Sequence, residues 1–126
     1  MDVIPQGVGQ GNASTDYGGR FSGPVELEML RLAPDGTIPD VAVVRFAAGS
    51  VSTWHAHPGG QLLYVLEGHA RVGTEADGTV ELAQGTLVVS PPGERHWHGA
   101  AAMEAAAVLS LAWGTTDWED GLPDVD

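Results

Sequence analysis

The sequence predicts an all-β domain, a sandwich or barrel built from short strands. Short segments in which apolar and polar residues alternate recur along the chain, and this alternation is typical of strands with one buried face. Turn-forming residues separate the segments at intervals of about 8 to 12 residues, which is the spacing expected of sandwiches and barrels. The chain has 126 residues, enough for one domain with a real core but not for two.

The first 19 residues are rich in Gly, Asn, Ser and Thr, and we predict that residues 1–19 form a flexible arm. The ordered region begins near Phe21. Val25, Leu27 and Met29 alternate there with two glutamates, which predicts a half-buried strand.

A second strand is predicted over residues 41–47, after a turn at Asp35 and Gly36. Arg45 occupies an odd position in this strand, so the alternate side chains are expected to face inward: Ala42, Val44 and Phe46. Gly49 opens the next segment, which carries two histidines.

The middle of the chain contains an apolar run over 62–66 and then a hairpin. Residues 69–73 and 79–82 flank an Asp77-Gly78 pair, which is a strong signal for a tight hairpin turn. Another strand is predicted over 86–90, where it ends at two prolines and a glycine.

The last predicted strand covers residues 105–113. Residues 101–107 alone could form a helix, but the surrounding strands favour a strand. Residues 117–126 form an acidic tail, which is expected to fray after Trp118.

Composition excludes several classes of function. The net charge is −12, and five arginines are the fixed cations because the chain lacks lysine; a nucleic-acid partner is therefore not expected. The chain has no cysteine, which excludes thiolate catalysis and disulfides. No apolar run reaches membrane-spanning length, and residues 1–5 do not resemble a secretory signal. We expect a cytoplasmic protein with no membrane partner.

Two blocks of residues carry the chemistry. His55 and His57 lie at i and i+2, so on a strand they share one face. Gln61 can return to that face after the Pro58-Gly59-Gly60 turn, and His96 follows a second block of Gly and Pro residues. Three imidazoles and one amide oxygen form a plausible ligand set for a divalent metal.

The remaining histidines and tryptophans have other expected roles. His98 shares parity with His96, so it either faces the same cavity as a proton carrier or is a buried histidine bonded to a backbone carbonyl. His69 follows a turn glycine and is expected on the surface. Trp54 and Trp97 adjoin predicted ligands and should therefore point away from them.

The two blocks resemble the paired motifs of the cupin superfamily. The first reads Gly-x5-His-x-His-x3-Gln-x6-Gly from Gly49, and the second reads Gly-x5-Pro-x-Gly-x2-His from Gly85. Gln61 stands where the family usually has Glu, and Ala100 where it has Asn. The resemblance implies a cupin-type double-stranded β-helix, or jelly-roll barrel, over residues 20–116. It also implies one metal per chain, with manganese first and iron, nickel, cobalt or zinc as alternatives.

A narrower resemblance connects the chain to small single-domain cupins that include the manganese-dependent hydroxynitrile lyases. In that subgroup an early Phe-x-Gly strand, here Phe21-Ser22-Gly23, tends to pair across a dimer, which implies a homodimer through an N-terminal strand. In the lyases a further histidine lies about twelve residues after the last ligand. That position is Val108 here, so we expect little or no mandelonitrile cleavage.

Three functions remain open from the sequence. The first is a Lewis-acid lyase or cyclase, a class to which cupin polyketide cyclases belong. It acts on a small or aromatic oxygenated substrate, with His98 as the proton carrier and a small apolar pocket: Ala42, Val44, Phe46, Leu63 and Val108. The neutral Gln61 leaves the metal its full charge and favours this function. The second is a cupin dioxygenase, and the third is a non-catalytic module that binds a small molecule.

Overall fold

The computed structural model describes residues 1–7, 10, 11 and 18–126. Eleven strands and no helix occur within these residues. The strands are β1 Gln10–Gly11, β2 Val25–Arg31, β3 Asp40–Phe46, β4 His55–Ala56, β5 Gln61–Gly68, β6 Ala70–Thr74, β7 Gly78–Leu82, β8 Leu87–Ser90, β9 Trp97–Ala100, β10 Ala106–Ala112 and β11 Asp117–Trp118.

The strands form two layers that enclose the core. One layer is a six-stranded sheet in the order β1-β2-β3-β10-β5-β8. The other contains β7-β6-β9 and the short pair β11-β4, joined by isolated bridges between Val51 and Gly99 and between His55 and His96. Since every pairing between the named strands is antiparallel, the predicted all-β barrel of jelly-roll type is confirmed.

The hydrophobic core lies between the layers and follows the predicted alternation. Ala42, Val44 and Phe46 of β3 are 5%, 4% and 2% exposed, as expected for inward-facing positions. The core cluster continues through β5 and β10 with Leu63, Val65 and Val108 among its members. Val108 lies opposite Val44 on one side and Val65 on the other, so these side chains form one row across three strands.

Two predictions about individual elements are confirmed. β6 and β7 form the hairpin, with Thr74 opposite Gly78 in its last pair. Residues 106–112 form a strand rather than a helix, because β10 lies between β3 and β5 and its backbone pairs with both. Tertiary pairing therefore overrides the local helix preference of the alanine-rich run.

The acidic tail does not fray, which corrects the expectation from sequence. The Glu119 N–H donates to the Trp54 carbonyl at 2.9 Å, and the Trp54 N–H donates to the Gly121 carbonyl at 3.0 Å. Arg71 extends the attachment by donating from Nη2 to the Asp126 carbonyl oxygen at 2.7 Å. Backbone pairing of this kind fixes a segment whatever its composition.

The N-terminal region contributes one described strand. β1 pairs with β2, with Gln10 opposite Glu28 and Gly11 opposite Leu27. The prediction of a flexible arm over 1–19 also covers residues 8, 9 and 12–17, which lie outside the described residues. Within the described part of the chain, no helix has the length and apolar character needed to cross a membrane.

Candidate metal centre

Two strands place three histidines against one another between the layers. His55 of β4 and His96, just before β9, form an antiparallel bridge with two backbone hydrogen bonds of 2.9 Å, and their ring centroids are 4.6 Å apart. The ring of His98, on β9, lies 5.0 Å from that of His55. His55, His96 and His98 each offer a ring nitrogen, and these atoms lie within 4.8 Å of one another. The cluster could therefore hold a metal ion.

His57 completes the imidazole group from the loop after β4. Its ring centroid lies 5.1 Å from that of His55 and 5.5 Å from that of His96. Its Nδ1 lies 3.2 Å from the Thr116 hydroxyl, whereas its Nε2 is buried and has no hydrogen-bond partner among the described residues. When Nδ1 donates its proton to the Thr116 hydroxyl, Nε2 carries the lone pair of the neutral ring, which would then be available to a bound group.

Gln61, the first residue of β5, brings an amide oxygen to the same place. Its Nε2 donates to the Ser110 hydroxyl at 2.9 Å, and this bond directs Oε1 toward His96. Oε1 lies 2.9 Å from His96 Nε2. The structure thus brings together all four residues that the sequence predicted as ligands.

The hydrogen bonds behind the rings determine which nitrogens carry lone pairs. His55 Nδ1 donates to the Thr53 carbonyl at 2.8 Å, and His96 Nδ1 donates to the Glu94 carbonyl at 3.0 Å. In a neutral imidazole the opposite nitrogen, Nε2, is then an acceptor. His96 Nε2 and Gln61 Oε1 therefore direct two lone pairs at each other. With the Gln61 amide in this orientation, the two atoms would form a suitable pair of ligands for a divalent cation.

Burial keeps these imidazoles neutral, which is the form that binds metal. Burial, followed by the nearby His96, lowers the pKa of His55 to about 3. The same two causes lower the pKa of His57 to about 4. Burial also lowers the pKa of His96, and it lowers that of His98 well below its ordinary value. The donor set therefore fits a divalent metal on both geometry and protonation.

A cavity of about 380 Å³ opens beside the histidines. Apolar side chains form most of its wall: Leu27, Met29, Ala42, Val44, Ala112 and Trp118. Ala42 and Val44 were predicted as pocket residues. Phe46, Leu63 and Val108 lie in the core cluster instead of lining this cavity, and their contact with a substrate stays a prediction.

The residues that sequence reasoning missed are on the C-terminal segment. Thr115, Thr116 and Trp118 line the cavity, and Trp118 pairs with His55 across β11 and β4. The Trp118 ring centroid lies 4.6 Å from that of His55. Trp118 could have indicated that this segment packs against the barrel, because a large aromatic residue in an acidic segment is seldom left in solvent.

The other histidines and the two tryptophans beside the ligands lie where the sequence predicted. His98 is buried next to the cluster, and its Nδ1 has no hydrogen-bond partner within the described chain. The side chain of His69 is 52% exposed and pairs with Glu104 on the surface. Trp97 is buried against Gly73, and Trp54 stacks under the Arg95 guanidinium at 4.0 Å.

Comparison with known proteins identifies the family. Residues 42–112, more than half of the chain, match the family described as Cupin domain. The chain therefore belongs to the cupin family, as the motif spacing predicted.

Three similar proteins show how far the likeness extends. An (R)-mandelonitrile lyase of Granulicella tundricola is 36% identical over 108 residues, which cover 82% of each protein. A cupin-like protein of Thermotoga maritima shares 29% identity at a TM-score of 0.80, with 98% of this chain and 92% of that one covered. An acetylacetone dioxygenase of Acinetobacter johnsonii has a TM-score of 0.76 over 95% of this chain and 78% of that one, but at 17% identity it shows a shared fold alone.

Proposed function

We propose that this cupin is a metal-dependent lyase for a small or aromatic oxygenated substrate, with His55, His57, Gln61 and His96 as the metal ligands. The observation that carries the proposal is the meeting of two lone pairs, on Gln61 Oε1 and His96 Nε2, at 2.9 Å. The unpartnered Nε2 of His57 lies next to them. A divalent transition metal, manganese first, would supply Lewis acidity toward a carbonyl or hydroxyl oxygen.

The neutral ligand set favours Lewis-acid chemistry without net oxidation. Three neutral imidazoles and one amide add no negative charge, so the full charge of the cation would act on the substrate oxygen. The (R)-mandelonitrile lyase relative supports a reaction in which a carbon–carbon bond next to a hydroxyl group is broken. The hydroxyl proton then leaves, a carbonyl group forms, and cyanide departs with the electrons of the broken bond and takes up a proton.

His98 is the residue that we assign to proton transfer. It is 7% exposed, its Nδ1 lacks a partner among the described residues, and burial keeps it neutral by lowering its pKa. A neutral imidazole with a free lone pair can accept the hydroxyl proton and later return it to the leaving group.

Val108 separates this chain from the lyase subgroup. Its side chain is 3% exposed and packs in the apolar core, so it offers no group for proton transfer where the lyases have a histidine. We therefore expect slow cleavage of mandelonitrile and better turnover of another cyanohydrin or hydroxy-carbonyl compound.

The test combines metal analysis with turnover. Protein purified without added metal should contain about one divalent ion per chain, and His57→Ala or His96→Ala should lose it. His69→Ala, a surface histidine, is the matched control and should retain the ion. Full metal occupancy in the His57→Ala and His96→Ala proteins would refute the site.

Replacing His98 separates a proton carrier from a ligand. His98→Ala should keep the metal and lose roughly 10²-fold or more in the rate of cyanohydrin cleavage. Loss of the metal would instead make His98 a ligand, in agreement with its place in the cluster. Oxygen consumption coupled to turnover would contradict the lyase and make the dioxygenase the better assignment.

A further inference from the structure

One acidic side chain lies in the wall of the cavity beside the metal centre. Apart from the histidines, Asp40 is the ionisable residue among the described lining residues, and no arginine is among them. Asp40 Oδ1 accepts the Ala33 N–H at 2.6 Å, which holds the carboxylate in place at the start of β3. Its second oxygen has no hydrogen-bond or ion-pair partner in the part of the chain that the structure describes.

The register of the sheet fixes where this carboxylate lies relative to the metal ligands. Ala112 of β10 is opposite Asp40 on one side and opposite Gln61 on the other, and all three line the cavity. Neighbouring strands are about 4.8 Å apart, so the Cα atoms of Asp40 and Gln61 are separated by about 10 Å. The methyl group of Ala112 leaves the space between them open.

We propose that Asp40 is a specificity-determining residue that selects substrates with a hydrogen-bond donor at the end opposite the reacting oxygen. This inference rests on the proposed function, because it places that oxygen near Gln61 and the histidines. The open row between Gln61 and Asp40 accommodates a single aromatic ring with a substituent at each end. The substrate class is then an aromatic aldehyde, or its cyanohydrin, with a hydroxyl group in the para position.

The same geometry disfavours two other substrate classes. A para-carboxylate would lie against Asp40 with no described cationic side chain in the cavity wall to compensate, and like charges at short range repel. A para-methoxy group replaces the hydroxyl proton with a methyl group and cannot donate a hydrogen bond, so it leaves the carboxylate oxygen unpartnered.

The experiment compares 4-hydroxybenzaldehyde with 4-methoxybenzaldehyde as ligands of the metal-loaded protein. Affinities are measured by calorimetric titration, and the metal content of each sample is determined separately. We expect the hydroxy compound to bind roughly 10-fold more tightly, the usual value of a hydrogen bond to a charged group. Asp40→Asn should bring the ratio of affinities to about one, since its amide can keep the Ala33 bond while presenting a donor to the ligand.

Asp77→Asn, on the β6–β7 turn, makes the same change of charge away from the cavity and should keep the preference. Asp40→Ala distinguishes a loss of ligand selectivity from a loss of stability. A general destabilisation of the fold would weaken the binding of both ligands equally and leave the ratio of their affinities unchanged. An unchanged ratio in Asp40→Asn and Asp40→Ala would overturn the role of Asp40. If the protein binds no metal but still prefers the hydroxy compound in an Asp40-dependent way, the lyase proposal fails while the specificity role stands.

Discussion

At the scale of single residues, the choice of Gln rather than Glu at position 61 sets the charge of the site. Gln61 Oε1 lies 2.9 Å from His96 Nε2, and Glu is nearly the same size, so Gln61→Glu should fold normally. The added negative charge should lower the affinity of the metal-loaded protein for azide by at least about 10-fold. Azide titrations of the two proteins, followed by calorimetry, measure the difference.

Gln84→Glu is the control for that substitution. Gln84 is an exposed turn residue before β8, so the same change of charge lies away from the site and azide affinity should stay close to that of the original protein. Equal azide affinity in Gln61→Glu would show that the oxygen at this position does not act on the metal.

The buried imidazoles also predict how stability depends on pH. Burial lowers the pKa of His55 to about 3 and that of His57 to about 4, whereas an unfolded histidine has a pKa of about 6.5. Between these values the unfolded chain binds more protons than the folded chain, so the free energy of unfolding falls as the pH falls. Each such group contributes up to about 1.4 kcal/mol per pH unit.

Urea denaturation of the metal-free protein at pH 7.5, 6.5, 5.5 and 4.5 measures this dependence. Stability should be nearly constant above pH 7 and should decline through the lower three values. His98→Gln removes one buried imidazole whose pKa lies well below the ordinary value because of burial, so its decline should be shallower. A flat profile from pH 7 to pH 5 would contradict the burial of neutral histidines.

At the scale of strands and turns, the structure explains why the first motif ends in a glycine. Gly68, the last residue of β5, has a φ of +73°, and a Cβ there would lie 2.0 Å from the Ala105 carbonyl oxygen. Gly78, in the β6–β7 hairpin, has a φ of +65° with no atom within 4 Å of a Cβ. A side chain at either position would therefore be strained by the positive φ. Of the two, only a side chain at Gly68 would also clash with a neighbouring atom.

This pair gives a prediction for stability. Gly78→Ala should cost about 1–2 kcal/mol of unfolding free energy, the usual penalty for a left-handed backbone at a residue with a Cβ. Gly68→Ala should cost clearly more, about 3 kcal/mol or above, because the clash with a backbone oxygen cannot be relieved by side-chain rotation. Chemical denaturation of both variants at one pH provides the comparison, and equal losses would contradict the steric account.

The same scale shows what the sequence could predict. Alternation located β3 because one face of that strand lies in the core, and the spacing of His55, His57, Gln61 and His96 located the ligand candidates. The partners behind them could not be predicted: Ser110 and Thr116 are 49 and 59 residues away in sequence from the side chains that they contact. Strand register brings them together, and register follows from pairing across the whole sheet.

The docked tail was missed for a related reason. Its acidic composition favours an exposed segment, yet Arg95 holds Glu119 with bonds of 2.6 and 3.0 Å, and backbone pairing with Trp54 follows. Such contacts depend on where the loop before β9 lies in space. Local composition does not contain that information.

At the scale of the whole molecule, the outer face of the six-stranded sheet is apolar. Tyr64, Leu87 and Val89 are 42%, 55% and 66% exposed, and Tyr64 lies opposite Leu87 in the register. Leu109 and Leu111 extend the same face on β10, with Leu109 beside Tyr64. An apolar face of this kind can support a contact between proteins, so it is the alternative to β2 as the site of a dimer.

We expect a homodimer that uses the early strand β2. β1 pairs with β2 at Leu27 and Glu28, and a strand near the edge of a sheet can pair with a strand of a second copy. Sedimentation at micromolar concentration should give twice the 13.1 kDa mass of the chain. Leu30→Glu, at the register shift of β2, should shift the protein toward the monomer, because it places a charge at the proposed interface. Val89→Glu, at the opposite edge of the same sheet, makes the same kind of change and should leave the dimer intact. Dissociation by Val89→Glu alone would place the contact on the β5–β8 face, and a monomer in the unmodified protein would refute the dimer.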